Sequence, residues 1–423
     1  MQRLLIISFI SLWLIIPLNA QESDFMADQL SFYTYHHESG NRFVQGQGTF
    51  PNVNATDYRF DAQATWLIAA TQDTSADVSQ QIVTVQLPDD RIIAVDPLTG
   101  VVDENFGTHP AEQPIVIQQW RGQWTWIGLQ SPNATNVLSL YDNETRIIGV
   151  DELGNLFAAP ASETSIALNI QPDAKVVASN DGRYAVYANA TNQRYVHAIM
   201  GDDIEGASLV VFQLVDNEID ILTQIDLEGD AVYEGLSPMW ADVNEDGVQD
   251  LITTVSDSRV GSRIRAYLFT DNGILTVDGQ AIGQSNRWQH QLAWGAFGVN
   301  GEIQLVEVLT PHIGGVVRFY EFDGTNLSIV SQLRGYTSHI IGSRNLDMAI
   351  AGDFDGDGQP EIVLPSQDRT RIAGIANTSN GAQVMWELPV DGVVASNLTA
   401  VNTPNGLILA IGRTDGTIRI WTP

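Results

Sequence analysis

Asp353-Phe354-Asp355-Gly356-Asp357-Gly358-Gln359-Pro360-Glu361, running straight into Ile362-Val363-Leu364, decides how this chain is read. A second copy stands upstream: Asp242-Val243-Asn244-Glu245-Asp246-Gly247-Val248-Gln249-Asp250, followed by Leu251-Ile252-Thr253-Thr254-Val255. Both place oxygen-bearing side chains at loop positions 1, 3, 5 and 9 and glycine at position 6. In a tightly curled loop, alternate side chains turn inward, so positions 1, 3 and 5 converge. Glycine at position 6 permits the left-handed backbone that makes the curl. Ca²⁺ is a hard cation that takes about six to eight oxygens, including a main-chain carbonyl at position 7. The expected ligands are therefore Asp242, Asn244, Asp246, Val248 and Asp250 in one loop. In the other they are Asp353, Asp355, Asp357, Gln359 and Glu361. An EF-hand would need a bidentate Glu at position 12 and flanking helices. Position 12 is Thr253 or Leu364, and the flanks are rich in β-formers. All these oxygens are taken up by the ion, so the two sites are expected to be structural.

Outward from the loops, helical periodicity is nearly absent. Short runs rich in Val, Ile, Tyr, Trp and Thr, such as Arg91-Ile92-Ile93-Ala94-Val95 and Leu209-Val210-Val211-Phe212, are punctuated by Gly, Asn and Asp, which is an all-β pattern. A turn and a hydrophobic strand recur after Ala62, Gly122, Gly182, Gly247, Gly301, Gly358 and Gly406. A basic residue heads a later strand in most copies: Arg91, Arg146, Arg265, Arg318, Arg371 and Arg419. A recurrence every ~50–65 residues is close to that of propeller repeats. It predicts a seven-bladed β-propeller of four-stranded antiparallel blades. The last copy stops at Ile418-Arg419-Ile420-Trp421, one strand short, and Leu30-Ser31-Phe32-Tyr33-Thr34-Tyr35 is expected to supply the missing outer strand. Such closure removes two edges open to aggregation.

A nine-residue acidic loop running directly into a strand resembles the FG-GAP/VCBS repeat, the family that includes the propeller of integrin α-subunits and many exported bacterial proteins. The resemblance implies Ca²⁺ loops that brace individual blades while partners bind elsewhere. It is confined to two blades: Phe297-Gly298-Val299-Asn300-Gly301-Glu302 and Thr403-Pro404-Asn405-Gly406 have lost the carboxylates.

Arg3, the apolar run Leu4 to Ile16, Pro17 and the small residue Ala20 read as a secretory signal peptide, residues 1–20. Residues 21–423 then form one domain, with 21–58 as closing strand and linker, outside the cytoplasm and without membrane insertion. The 423-residue chain contains no cysteine, so burial, metal or closure must hold it together. Its formal net charge of −31 repels phosphate backbones and argues against nucleic acid. There is neither a G-x-S-x-G elbow nor a P-loop. The leading expectation is a non-enzymatic scaffold in the envelope or outside the cell that binds a protein or a polysaccharide. The alternative is a propeller-type polysaccharide lyase or glycoside hydrolase using a carboxylate pair.

His36-His37-Glu38 reads as a polar turn, and the remaining histidines are scattered. Trp120, Trp124, Trp126, Trp240, Trp288, Trp294 and Trp386 read as fillers between blades rather than sugar platforms. Seven N-x-S/T sequons stand at Asn54, Asn133, Asn143, Asn189, Asn326, Asn377 and Asn397.

Overall fold

The computed structural model describes residues 29–33, 39–72, 80–111, 115–120, 123–128, 137–141, 144–151, 153–159, 165–171, 173–216 and 218–423. The signal-peptide segment, His36-His37-Glu38 and the sequons at Asn133 and Asn143 lie outside these residues. The described residues are all-β, without a helix. Among them, no helix is long and apolar enough to cross a membrane.

The strands form seven sheets, most of them four-stranded antiparallel meanders. The largest, of nine strands, holds two meanders in sequence, joined through the short strand Val232–Tyr233. Counting these two separately gives eight units. The first runs from Trp66–Gln72 to Val102–Thr108. The second holds Ile115–Trp120 and Gln123–Gly128, and the third runs from Val137–Tyr141 to Ile166–Ala167. The fourth starts at Val177–Ala178, the fifth at Met239–Ala241 and the sixth at Gln289–Gly295. The seventh starts at Ile350–Asp353 and the eighth at Val394–Thr403.

The seven copies counted in sequence therefore do not map one to one onto the sheets. The unit at 137–167 has no turn glycine of its own in the repeat pattern. Its Arg146 marker lies in the strand Glu144–Val150, which belongs to a different sheet from Gln123–Gly128. The other basic markers fall in third strands; Arg265, Arg318, Arg371 and Arg419 pair with acids on neighbouring strands, and Arg91 with Asp61 and Asp89 in turns. Arg265 holds Asp278 at 2.5 Å, and Arg371 holds Glu387 at 3.0 Å.

The N-terminal segment corrects the expected closing strand. Gln29–Tyr33 pairs antiparallel with Ile115–Trp120 of the second unit. The strand added to the last unit is Asn54–Arg59, in register from Asn54 opposite Thr422 to Arg59 opposite Thr417. It is mostly exposed and polar, so a search for apolar runs passes over it. An outer strand has no second sheet face to bury and is held by charge instead. Arg419 grips both oxygens of Asp57, at 2.7 and 2.9 Å, and pulls that carboxyl below its ordinary range. Between these strands, Phe43–Gln47 runs parallel to Ile350–Asp353 along the inner edge of the seventh unit.

Alternation along each strand puts one apolar row on each face, and consecutive units bury those rows against each other. Seven cores do this. They join the first unit to the second (Ile68, Ile92, Ile117) and to the eighth (Leu67, Val85, Ile408, Ile420). Others join the eighth to the seventh (Leu409, Trp421, Val363, Trp386) and the seventh to the sixth (Ile362, Ala373, Val306, Phe319). The sixth packs on the fifth through Trp294, Tyr320 and Ile264, and the fifth on the fourth through Trp240, Leu251 and Tyr187. The fourth packs on the third through Phe212, Val186 and Ile148. Each fully buried Leu, Ile, Val or Phe contributes about 1.5–3 kcal/mol against exposure. Trp240, Trp294 and Trp386 are buried within these cores, whereas Trp288 is buried outside them, with Ile199, Met200, Leu236 and Leu346. Two sequons are structural as well: Asn377 and Asn397 are buried, with side chains bonded to Gln304 and to the backbone of Leu67.

Glu307 sits unexposed in the sixth unit, with Arg318 and Tyr320 at hydrogen-bond limits of 3.5 and 3.4 Å. Burial pushes its carboxyl up to about 8. An acid raised in this way favours the fold while protonated, and that support is lost as pH rises from its unfolded value towards 8. Glu307→Gln should therefore gain on the wild type with rising pH, by about 3 kcal/mol at pH 8 relative to pH 5. Denaturant midpoints at the two pH values measure this, and a difference that does not change with pH refutes it.

Candidate functional site

The inner strand of the seventh unit ends in one of the acidic loops. Asp353 closes the strand Ile350–Asp353, and Glu361 opens Glu361–Pro365. The curl brings carboxylate oxygens of Asp353, Asp355 and Asp357 within 4.8 Å of one another. Gly358 has φ +93° with open space where a side chain would stand, so backbone conformation alone requires glycine there. Main-chain N–H groups hold the carboxylates in place. Gly356 and Gly358 donate to Asp353, Asp357 to Asp355, and Gln359 to Asp357. Gln359 sends its side chain away from the loop, to the carbonyls of Phe297 and Asn377 at 2.8 Å each. That leaves its main-chain carbonyl as the oxygen it can offer an ion. Glu361, 1% exposed, lies beneath and accepts from the N–H of Phe354. Burial, with Asp355 beside it, pushes the Glu361 carboxyl up to about 9.

The upstream loop joins the same two strands of the fifth unit. Asp242 accepts from Asp246 and Gly247, Asn244 donates to Asp246 at 2.9 Å, and Asp246 accepts from Val248. Asp250 is fully buried, with its two oxygens on the N–H groups of Val243 and Phe269. Position 9 thus acts as a strut under each loop, and positions 1, 3 and 5 form the open face. In the sixth unit the corresponding turn closes on itself: Asn300 donates twice to Glu302, at 2.9 and 2.8 Å. The one carboxylate of that turn, Glu302, is thus paired within it.

The loop of the seventh unit is also bound from outside. Gln47 donates to Asp353 Oδ2 at 3.0 Å, and the N–H groups of Gly48 and Phe50 reach the carbonyls of Asp353 and Phe354. A Cβ on Gly48 would stand 2.1 Å from the Phe354 carbonyl, so only glycine allows this approach.

At the opposite ends of the units' first strands lies a largely buried polar cluster that the sequence did not disclose. Asp347 precedes the inner strand of the seventh unit and is held by Arg42 at 2.8 Å and Lys175 at 3.7 Å. Lys175 precedes the inner strand of the fourth unit and sits 5.8 Å over the ring of Trp66, in the first. Burial pulls its ammonium down to about 8, against the pull of Asp347. Nearby, Glu234 takes His197 at 2.6 Å and also Ser256. Trp288 lies against His290, His312 and His339. The Ser343 carbonyl fixes the His339 proton on Nε2, so His339 Nδ1 accepts from His312 at 2.7 Å. Burial draws His312 down to about 4 and His339 to about 3, which keeps both neutral.

Ser338 lies 2.8 Å from His290 Nδ1, which by distance alone suits an activated nucleophile. Both are buried, however, with no exposure of Ser338 and 3% of His290. No acid orients the other nitrogen of His290, which has no partner. Ser256 bonds to a carboxylate and not to an imidazole. Neither serine therefore meets the geometry of a nucleophile–base pair.

Compared with known protein families the chain matches none, and no curated protein is similar to it. The resemblance of the two loops to FG-GAP/VCBS repeats accordingly stands on their nine residues and the strands that follow.

Proposed function

We propose that this chain is an exported, Ca²⁺-braced β-propeller that serves as a non-enzymatic scaffold for an extracellular partner. The observation that carries the metal reading is the Asp353–Asp355–Asp357 triad, whose oxygens face one another on a loop knitted by main-chain donors. Without a cation, three carboxylates at this spacing repel one another. Ca²⁺ suits them because it takes oxygen ligands in flexible geometry, and extracellular sites of about 10⁻⁴–10⁻³ M stay filled.

The ring reading is supported by seven cores: six join consecutive units, from the first to the second and from the third through to the eighth, and one brings the eighth back onto the first. Contacts between units that are not neighbours, such as Lys175 with Asp347 and Trp66, support the reading that these units surround one axis. On this reading the blades number eight rather than seven, because residues 137–167 make a sheet of their own. A scaffold is favoured over a polysaccharide-cleaving enzyme because Glu234 of the polar cluster, and Glu205, which accepts from the N–H of Gly235 beside it, are only 1% and 2% exposed.

A thermal melt of the protein with 10 mM Ca²⁺ and with EGTA tests the metal. At ten to a hundred times Kd, each site stabilises by about 1.4–2.7 kcal/mol, a rise of a few degrees in Tm. Asp355→Ala should abolish the seventh unit's share and Asp246→Ala the fifth unit's share. If Ca²⁺ leaves all three melts unchanged, the loops hold no ion, and the kinship with FG-GAP repeats loses its basis.

A further inference from the structure

We propose that the acidic loop of the seventh unit is a Ca²⁺-dependent latch for the N-terminal segment, fixing residues 47–50 and, through them, the closing strand Asn54–Arg59. This rests on the metal reading and gives the loop of the seventh unit a task that the loop of the fifth does not share.

The N-terminal segment is fastened to one unit after another. The Ser39 carbonyl accepts from the N–H of Trp240 in the fifth. Asn41 exchanges two bonds with the backbone of Trp294 in the sixth, at 2.9 and 3.1 Å. Phe43 lies opposite Ala351 and Gln47 opposite Asp353 in the seventh, with a register shift between these pairs. From Gln47 onward the hold passes to the acidic loop. Gln47 Nε2 donates to Asp353 Oδ2 at 3.0 Å, Gly48 to the Asp353 carbonyl at 2.7 Å and Phe50 to the Phe354 carbonyl at 2.9 Å. The Phe50 ring packs on Phe354 and Trp386, with centroids 5.5 and 4.8 Å away. Gly356 comes so close that a Cβ there would stand 2.7 Å from the Gly48 carbonyl. Shortly afterwards Asn54 opens the strand that pairs with Thr417–Thr422. The loop of the fifth unit is met instead by Arg183 of the fourth, which donates to the Gln249 carbonyl at 2.7 Å.

Charge makes this docking conditional. Residues 47–50 bind atoms of Asp353 and Phe354, the first two positions of the loop. Those positions hold their place only while the carboxylates behind them stay together. Glu361 is almost wholly buried, its carboxyl lies within hydrogen-bonding reach of that of Asp355, and the N–H of Phe354 donates to it. No ion pair among the described residues involves Asp353, Asp355, Asp357 or Glu361. Gln47, the side chain that the segment brings to the loop, is neutral and offsets none of this charge. A buried carboxylate set against others without a basic partner is unfavourable, and a cation in the loop relieves it. Asp353 has room for both roles. Its oxygens accept from Gly356, Gly358 and Gln47, which leaves one of the about four lone-pair sites of a carboxylate. The coupling is reciprocal: a cation that favours the docked segment is itself favoured by it.

Hydrogen exchange of the full chain, with Ca²⁺ and with EGTA, tests the latch. Ca²⁺ should slow exchange about tenfold at the amides of Gly48 and Phe50 and along Asn54–Arg59. Asp355→Ala should remove this slowing, whereas Asp246→Ala should keep it. Calorimetric titration with Ca²⁺ reads the reciprocal effect. In the Asp246→Ala background, which leaves the loop of the seventh unit as the expected site, Gln47→Ala should weaken binding about fivefold. Gln47 is exposed and lies outside every core, so this variant keeps the test open if Asp355→Ala fails to fold. Ca²⁺ binding with unchanged exchange at Gly48 and Phe50 overturns the latch and leaves the metal reading standing, as does an affinity indifferent to Gln47→Ala. Slowing that survives Asp355→Ala also overturns the latch, because the effect then comes from another site. An absence of binding heat together with unchanged exchange in every variant overturns the metal reading and the latch with it.

Discussion

Replacing Arg42 with alanine is expected to destabilise the protein by about 3–5 kcal/mol, the cost of breaking a buried ion pair from one side. Arg42 is 6% exposed and joins three separate parts of the fold. Its Nε holds Asp347 at 2.8 Å, and its Nη1 reaches the carbonyls of Gln291 and Leu292 at 3.1 and 3.4 Å. Its own carbonyl accepts from the N–H of Ala351. Alanine removes the closest cation from a buried carboxylate and the donor from two inner-strand carbonyls of the sixth unit. Arg42→Lys keeps the charge but not the fork, so it should fall between alanine and wild type. The denaturant midpoint reads the loss. Proteolysis of residues 43–50 reads its location, since this segment is held beside Arg42 along the seventh unit. A loss under about 1 kcal/mol would mean that the ion pair is solvated, and the proposed packing around one axis would then be wrong.

Nothing in the sequence around Arg42 announces this role, and the reason applies to the rest of the polar cluster. The acidic loops were legible because their chemistry is local: ligand spacing, the glycine at φ +93° and the following strand lie within nine or ten residues. The all-β class was legible because alternation is local too. The polar cluster is assembled from residues far apart in the chain, with His197 and His339 separated by more than a hundred positions. Its one sequence trace is positional. Asp173 and Lys175, Trp288 and Asp347 each fall shortly before an inner strand, a repeat in place and not in residue type. The closing strand went unread for a different reason. Asn54–Arg59 exposes most of its residues, so no hydrophobic signal marks it, and what fixes it is the pairing of Asp57 with Arg419 some 360 positions away. The missed third unit shows that spacing alone is a weak counter. The interval from Gly122 to Gly182 fits one blade, yet residues 137–167 form a sheet within it.

The junction of the eighth unit with the first distinguishes a ring from an open stack, and Asn397→Ala should weaken it by about 2–4 kcal/mol. The inner edge of the first unit would otherwise present free backbone groups, the usual hazard of an edge strand. Asn397 covers them as a strand would: its Oδ1 accepts from the N–H of Leu67 and its Nδ2 donates to the Leu67 carbonyl, both at 2.9 Å. Two residues on, Thr399 accepts from the N–H of Ala69 at 3.0 Å. Alanine at 397 leaves a donor and an acceptor unsatisfied at a buried site, about 1–3 kcal/mol each before water enters. Aspartate should do worse despite its similar size, because it sets a carboxylate against the Leu67 carbonyl where charge is poorly solvated. Thr399→Val, which strands one donor only, should cost about half as much as Asn397→Ala. Hydrogen exchange locates the effect. In the wild type the amides of Leu67 and Ala69 should be protected like those of a central strand, and Asn397→Ala should release Leu67 first. Fast exchange at both amides in the wild type would mean that the first and last units do not meet in solution. The ring would then be open there, and Asn54–Arg59 alone would tie the N-terminal segment to the last unit.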